Sequence, residues 1–149
     1  MKIPDDYCQQ ITDAGIACVE GCLSTDEVAD LQRAVDRALL EHKGDESVRS
    51  RSGVFAIRNV TEVVPQVKEL ARHSNVAKLI HPVLGRNALL VRGLLFDKSP
   101  EANWGIFWHQ DLSIAVQKRE AVPGFGPWSV KAGVPHVQPP PEILGQMLT

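Results

Sequence analysis

The sequence predicts an α+β fold from three observations. A capping box, Ser24-Thr25-Asp26-Glu27, opens a stretch in which Val28, Leu31, Val35, Ala38 and Leu39 recur at helical spacing. The run from Ala88 to Lys98 has the apolar content and length of a strand, and Gly53-Val54-Phe55-Ala56-Ile57 is a short apolar run preceded by a polar stretch. Helices and strands are thus grouped along the chain, with the helical patterns mostly in the first half.

In order, Gly15-Ile16-Ala17-Cys18-Val19 is a short strand candidate. The capping-box helix follows, with Asp30, Arg33, Asp36 and Arg37 on its solvated face. Glu41 through Ser52 is polar, contains Gly44 and reads as a loop before the strand Gly53–Ile57. Thr61 opens a helix with Pro65 in its early turns, and Ser74-Asn75 caps another that ends at Gly85. Alternation along Ala88–Lys98 sets Arg92, Leu94, Phe96 and Lys98 on one face and Val91, Gly93, Leu95 and Asp97 on the other. Gly124-Phe125-Gly126-Pro127 lies in a long connection of the kind that forms a lid or a surface loop. Pro139-Pro140-Pro141 is a short rigid spacer, and there is no internal repeat.

Composition narrows the function classes. With 149 residues and a formal net charge of −2, the chain can bury one core and carries no electrostatic footprint for nucleic acid or an anionic membrane. Met1-Lys2-Ile3-Pro4-Asp5-Asp6 lacks the basic and apolar runs of a secretory signal, and no segment approaches a membrane span. Cys8, Cys18 and Cys22 are three in number and crowded at one end, which argues for free thiols in a reducing, cytoplasmic compartment rather than a disulfide framework.

Chemistry concentrates in Trp108-His109-Gln110-Asp111-Leu112. On an extended segment, His109 and Asp111 project from the same face, so an imidazole nitrogen and a carboxylate oxygen can reach one metal ion. With a distant second His, such a pair makes the facial triad of non-haem Fe(II) oxygenases, which leaves coordination positions open for cosubstrate and O2. An exposed polar pair at a strand end would show the same spacing. To bind metal, His109 must be neutral and Asp111 ionised, so affinity falls in acid. His136 is the other histidine near this region, while His42, His73 and His81 lie on or beside predicted helices, where satisfied or solvent-facing histidines are the rule. Arg92 reads as an ordinary ion-pairing residue. Trp104, Trp108 and Trp128 have the aromatic faces to frame a substrate cleft.

The tract from Leu89 through Val116, which contains Leu-Leu-Phe-Asp-Lys-Ser-Pro and Trp-His-Gln-Asp-Leu, resembles the phytanoyl-CoA dioxygenase family. The resemblance extends upstream to Asp13-Ala14-Gly15 and the helix after it, and downstream through Gly126–His136. It implies a double-stranded β-helix, or jelly roll, with flanking N-terminal helices. It also implies a site that binds Fe(II) through His109 and Asp111 and takes 2-oxoglutarate and O2 to hydroxylate an aliphatic carbon of a small molecule. Leu94 and Lys98 match positions that sit beside 2-oxoglutarate in the family: an ammonium to hold a dicarboxylate and an apolar side chain to pack on its methylenes. Lys98 reads equally as a surface lysine at a strand end. In the family pattern His136 falls in a loop before the next strand, and the distal His and the Arg that grips 2-oxoglutarate lie beyond Thr149.

The expectation is therefore a single incomplete domain over residues 1–149, helical to about residue 87 and carrying the first barrel strands and a loop from about 88 onward. Two functions follow: part of a 2-oxoglutarate-dependent hydroxylase, or a catalytically inactive fragment that survives as a binding or assembly module. A cupin-like metal enzyme unrelated to 2-oxoglutarate is a third reading, which His-x-Asp alone would permit.

Overall fold

The computed structural model describes residues 1–42, 45, 48–51, 54–98, 105, 107 and 109–149. Gly44, Gly53, Ser99, Pro100, Trp104 and Trp108, which figure in the sequence reading, lie outside the described residues. The described elements are mixed: helices α1 (Tyr7–Ala14), α2 (Thr25–Glu41), α3 (Val60–Val63), α4 (Pro65–Leu70), α5 (Ser74–Leu84) and α6 (Pro141–Leu144), with strands β1 (Val48–Arg51), β2 (Val54–Ile57), β3 (Leu95–Asp97), β4 (Ile114–Ala115), β5 (Trp128–Lys131) and β6 (Val134–Val137). The strands form two antiparallel sheets, in the orders β1-β2-β3 and β4-β6-β5. Among the described residues, no helix is long and apolar enough to cross a membrane.

The capping box forms as the residue types dictate. Glu27 N donates to Ser24 Oγ at 3.3 Å, and Glu27 Oε2 accepts from Ser24 N at 2.7 Å. Helix α2 then buries Ala34 and Ala38 against Val48, Ile57, Val60 and Val64, with Val35, Leu39 and Leu95 packed around them. Val28 is instead exposed, while Ala34 completes the stripe. One face of the first sheet, carrying Val48, Ile57 and Leu95, thus rests on α2.

Several expected elements differ. Gly15–Val19 is not a strand; it links α1 to α2, and Ile16 is 65% exposed. Glu41–Ser52 is not wholly a loop, because Val48–Arg51 pairs with β2 as an edge strand. The helix expected from Thr61 is two short ones: Val64, the residue before Pro65, has φ −124° and ψ 89°, since the proline ring disfavours helical geometry there. The N-cap of α5 is His73 rather than Ser74, its Nδ1 accepting from Asn75 N at 3.3 Å. That leaves the Asn75 side chain to donate to Cys22 O at 2.9 Å. Helix α5 ends as expected at Gly85, which has φ 83°.

The strand expected over Ala88–Lys98 is confined to Leu95–Asp97, where it meets Phe55–Ile57. Upstream, Gly93 runs against the start of α3: its carbonyl accepts from Val60 N at 3.2 Å, and a Cβ here would lie 2.6 Å from Val60 Cγ1. The second sheet centres on the β5–β6 hairpin, closed by Ala132 at φ 49° and Gly133 at φ 75°, the positive pair that a tight two-residue hairpin turn requires. Asn59 Nδ2 donates to Ala132 O at 3.1 Å and so ties the turn after β2 to this hairpin. Gly126 N and Pro127 O bond to Gln138, at 2.8 and 3.2 Å, which anchors the connection before β5 alongside the end of β6.

At the N-terminus, Tyr7 is buried and its hydroxyl donates to Leu79 O at 3.2 Å, fastening α1 to α5. Burial, with a smaller contribution from Cys8, pushes this phenol up to about 12.

Candidate metal centre

His109 and Asp111 lie on the irregular segment that leads into β4. His109 Nδ1 is 2.8 Å from Phe107 O, and because a carbonyl only accepts, the proton belongs on Nδ1. Nε2 then carries the lone pair, which is the form a metal takes. That Nε2 stands 3.7 Å from Asp111 Oδ1. Two donors each about 2.1 Å from one ion and at right angles to each other are about 3 Å apart, so small side-chain rotations bring the pair to bonding geometry. His109 and Asp111 are 56% and 76% exposed, which makes a direct ion pair between them worth little to stability. The donor chemistry therefore fits two positions of a divalent metal site. Among the described residues, no three His, Cys, Asp or Glu side chains gather as a metal cluster.

Leu94 and Lys98 bracket β3. Leu94 is 41% exposed and Lys98 is exposed, whereas Leu95 between them packs towards α2. Arg92 leaves the face it was expected to share with them. Its guanidinium turns inward, Nε donates to Arg58 O at 3.3 Å, and Nη2 is buried with no partner among the described residues. No ion pair of Arg92 forms among the described residues; burial first, and then Arg58, disfavour its charge, against which the nearby Asp111 carboxylate favours it.

His136 also departs from expectation. It lies inside β6, not in a loop, because the Ala132-Gly133 turn starts the strand early and the Pro135 carbonyl still accepts from Val116 N at 3.0 Å. The register sets it opposite Ala115 on β4 and Ser129 on β5. Its side chain is fully buried, with Nδ1 held 2.9 Å from Val134 O and Nε2 without a partner. Burial first, and then the charges of Arg92, Lys131 and Arg58, hold its pKa below the ordinary imidazole value, outweighing the Val134 hydrogen bond.

The other histidines are accounted for locally. His73 Nε2 meets Glu27 Oε1 at 3.1 Å, His42 Nδ1 meets Asp45 Oδ2 at 2.8 Å, and His81 is exposed on α5. Trp128 is half-buried with the Arg119 guanidinium 5.6 Å from its ring centre, so a cation covers the aromatic face expected to line a cleft. Sequence reasoning did not single out Arg58 or Lys131. The available signal was a cation directly after the apolar run Val54–Ile57 and another directly before a hairpin turn.

The sequence model of the phytanoyl-CoA dioxygenase (PhyH) family matches residues 11–148, a span that includes His109, Asp111 and every described strand. The chain belongs to the phytanoyl-CoA dioxygenase family. Members are generally dependent on Fe(II) and 2-oxoglutarate. No curated protein and no solved structure matches the chain.

Proposed function

We propose that the chain provides His109 and Asp111 to the Fe(II) centre of a 2-oxoglutarate-dependent dioxygenase that hydroxylates an aliphatic carbon of a small molecule. One observation carries the reading: the carbonyl clamp on His109 Nδ1 leaves Nε2 as a lone-pair donor facing Asp111 at 3.7 Å. When bound, iron and its cosubstrate would supply the oxidising chemistry, while the protein binds and orients. Leu94 and Lys98 would bind 2-oxoglutarate, the ammonium by charge and the leucine by packing. The two sheets are taken as the first strands of a jelly roll within one domain over 1–149, and the three free cysteines suit a reducing cytoplasm.

The test is anaerobic titration of the folded chain with Fe(II) in the presence of 2-oxoglutarate. A weak visible charge-transfer band is expected, and it should vanish in His109→Ala and in Asp111→Ala. A folded wild-type chain that gives no band would overturn the reading in favour of a binding or assembly module that does not hold this cofactor pair.

A further inference from the structure

The segment that carries His109 and Asp111 has little to hold it. From His109 to Leu112 it is exposed, and it gains regular pairing only at β4, where Ile114 and Ala115 meet Val137 and His136. His109 is fixed by a contact within the segment, to Phe107 O. Among the described residues, one hydrogen bond ties the stretch between His109 and β4 to another element: Lys131 Nζ donates to Ser113 Oγ at 2.9 Å. Both partners are half-buried. Lysines ordinarily keep the ammonium in water, and this one is turned instead to a neutral hydroxyl two residues beyond the metal-ligating carboxylate.

Lys131 stands on firm ground. It closes β5 and pairs with Val134 on β6, and the next carbonyl, that of Ala132, accepts from Asn59 Nδ2 at 3.1 Å. The hairpin tip is thereby braced both to its own sheet and to the turn after β2. Chain geometry carries the effect onward, since two residues span at most about 7 Å and a fixed Ser113 confines Asp111 to a small volume beside it. A segment hinged at β4 alone would carry the carboxylate over a wider range, and the pair would lose more conformational freedom on meeting a metal.

We propose that Lys131 and Ser113 are positioning residues for the metal pair: their hydrogen bond braces the segment against the β5–β6 hairpin and so presets Asp111 and His109 for one divalent ion. The role rests on the dioxygenase reading of that pair; the brace itself does not. Charge separates this role from a direct one, because an ammonium near a divalent cation repels it and only the ordering effect favours binding. Ser113→Ala removes the brace and keeps the charge, whereas Lys131→Met removes both. The serine variant should therefore bind metal more weakly than the lysine variant.

The experiment has two arms. In the first, the metal-free chain is kept in EDTA and backbone 15N order parameters are measured for Gln110 to Ser113. They should fall in Ser113→Ala and in Lys131→Met, and stay at the wild-type level in Ser113→Thr, which restores the hydroxyl. In the second, each protein is titrated with Mn(II) at neutral pH, and the free aqua ion is followed by electron paramagnetic resonance. Ser113→Ala should weaken Mn(II) by about tenfold, the low end of the range for residues that orient metal ligands. Lys131→Met should weaken it less, Ser113→Thr should match wild type, and the double variant Ser113→Ala/Lys131→Met should be no weaker than Ser113→Ala. Unchanged order parameters in Ser113→Ala overturn the brace. Lower order with unchanged Mn(II) affinity overturns the positioning role, as do a double variant whose two losses multiply and a Lys131→Met that binds more weakly than Ser113→Ala. A wild-type chain that takes up no Mn(II) overturns the metal centre and the positioning role together. The order parameters are read without metal, so failure of the brace is distinct from failure of the dioxygenase reading.

Discussion

Two buried regions of this chain are built on opposite rules. Where α2 meets the first sheet, Ala34, Ala38, Ile57, Val60 and Val64 close on one another as an apolar cluster. Elsewhere, Arg58, Arg92 and His136 hide nitrogens that lack partners among the described residues. The first arrangement maximises apolar contact and supports the fold. The second costs stability, because buried polar atoms without partners forfeit the hydrogen bonds they would make in water. Large-to-small mutations in the first region should therefore lower stability more than substitutions that remove a partnerless nitrogen in the second.

The comparison breaks most sharply at Ile57, which is fully buried. Ile57→Ala should cost about 2–5 kcal/mol in urea unfolding, the range for a large-to-small change in a packed core. Next comes Gly93→Ala, whose new methyl would meet Val60 Cγ1 at 2.6 Å and push the Arg92 segment away from α3. About 1–3 kcal/mol of destabilisation is expected, read in the same assay. Ser24→Ala removes the cap of α2 and should cost about 1 kcal/mol. Ala132→Gly should instead raise the melting temperature, by about 0.5–1 kcal/mol of stability, since Ala132 holds φ 49° where glycine is at ease. The smallest change at neutral pH concerns His136. Its folded pKa is depressed, so the unfolded chain takes up the proton first as the pH falls, and stability declines below the ordinary imidazole value. In His136→Phe the part of that decline due to this residue should disappear when stability is followed by urea titrations across the acid range.

How much of this was legible depended on how local the causes are. The capping box at Ser24 and the end of α5 at Gly85 could be read directly, because cap chemistry acts within a few residues. Strand β1 could not: Val-Arg-Ser-Arg has no apolar alternation, and it is a strand because β2 pairs with it. Helix α1 was missed for the same reason, since its anchor, Tyr7, bonds to a carbonyl on α5 far along the chain. At the candidate site, the His109–Asp111 pair was visible because two-residue spacing is local. The grouping of Arg58, Arg92 and Lys131 around His136 was not, since these residues lie far apart in sequence and only the tertiary fold brings their charges within reach of the imidazole. His136 was visible as a residue but misplaced by element, because the turn that starts β6 has an alanine where a left-handed conformation is needed.

The Tyr7 hydroxyl, described above as fastening α1 to α5, has a consequence for the order in which the helices part. With its pKa near 12, it remains a donor across all ordinary pH, so acid does not unfasten it. The junction between α2 and α5 is different: Glu27, held below its usual range by Ser24 and then by His73, loses its negative charge when protonated, so its contact with His73 weakens. Acidification therefore weakens the Glu27–His73 contact while the Tyr7 contact between α1 and α5 and the Asn75–Cys22 hydrogen bond stay in place.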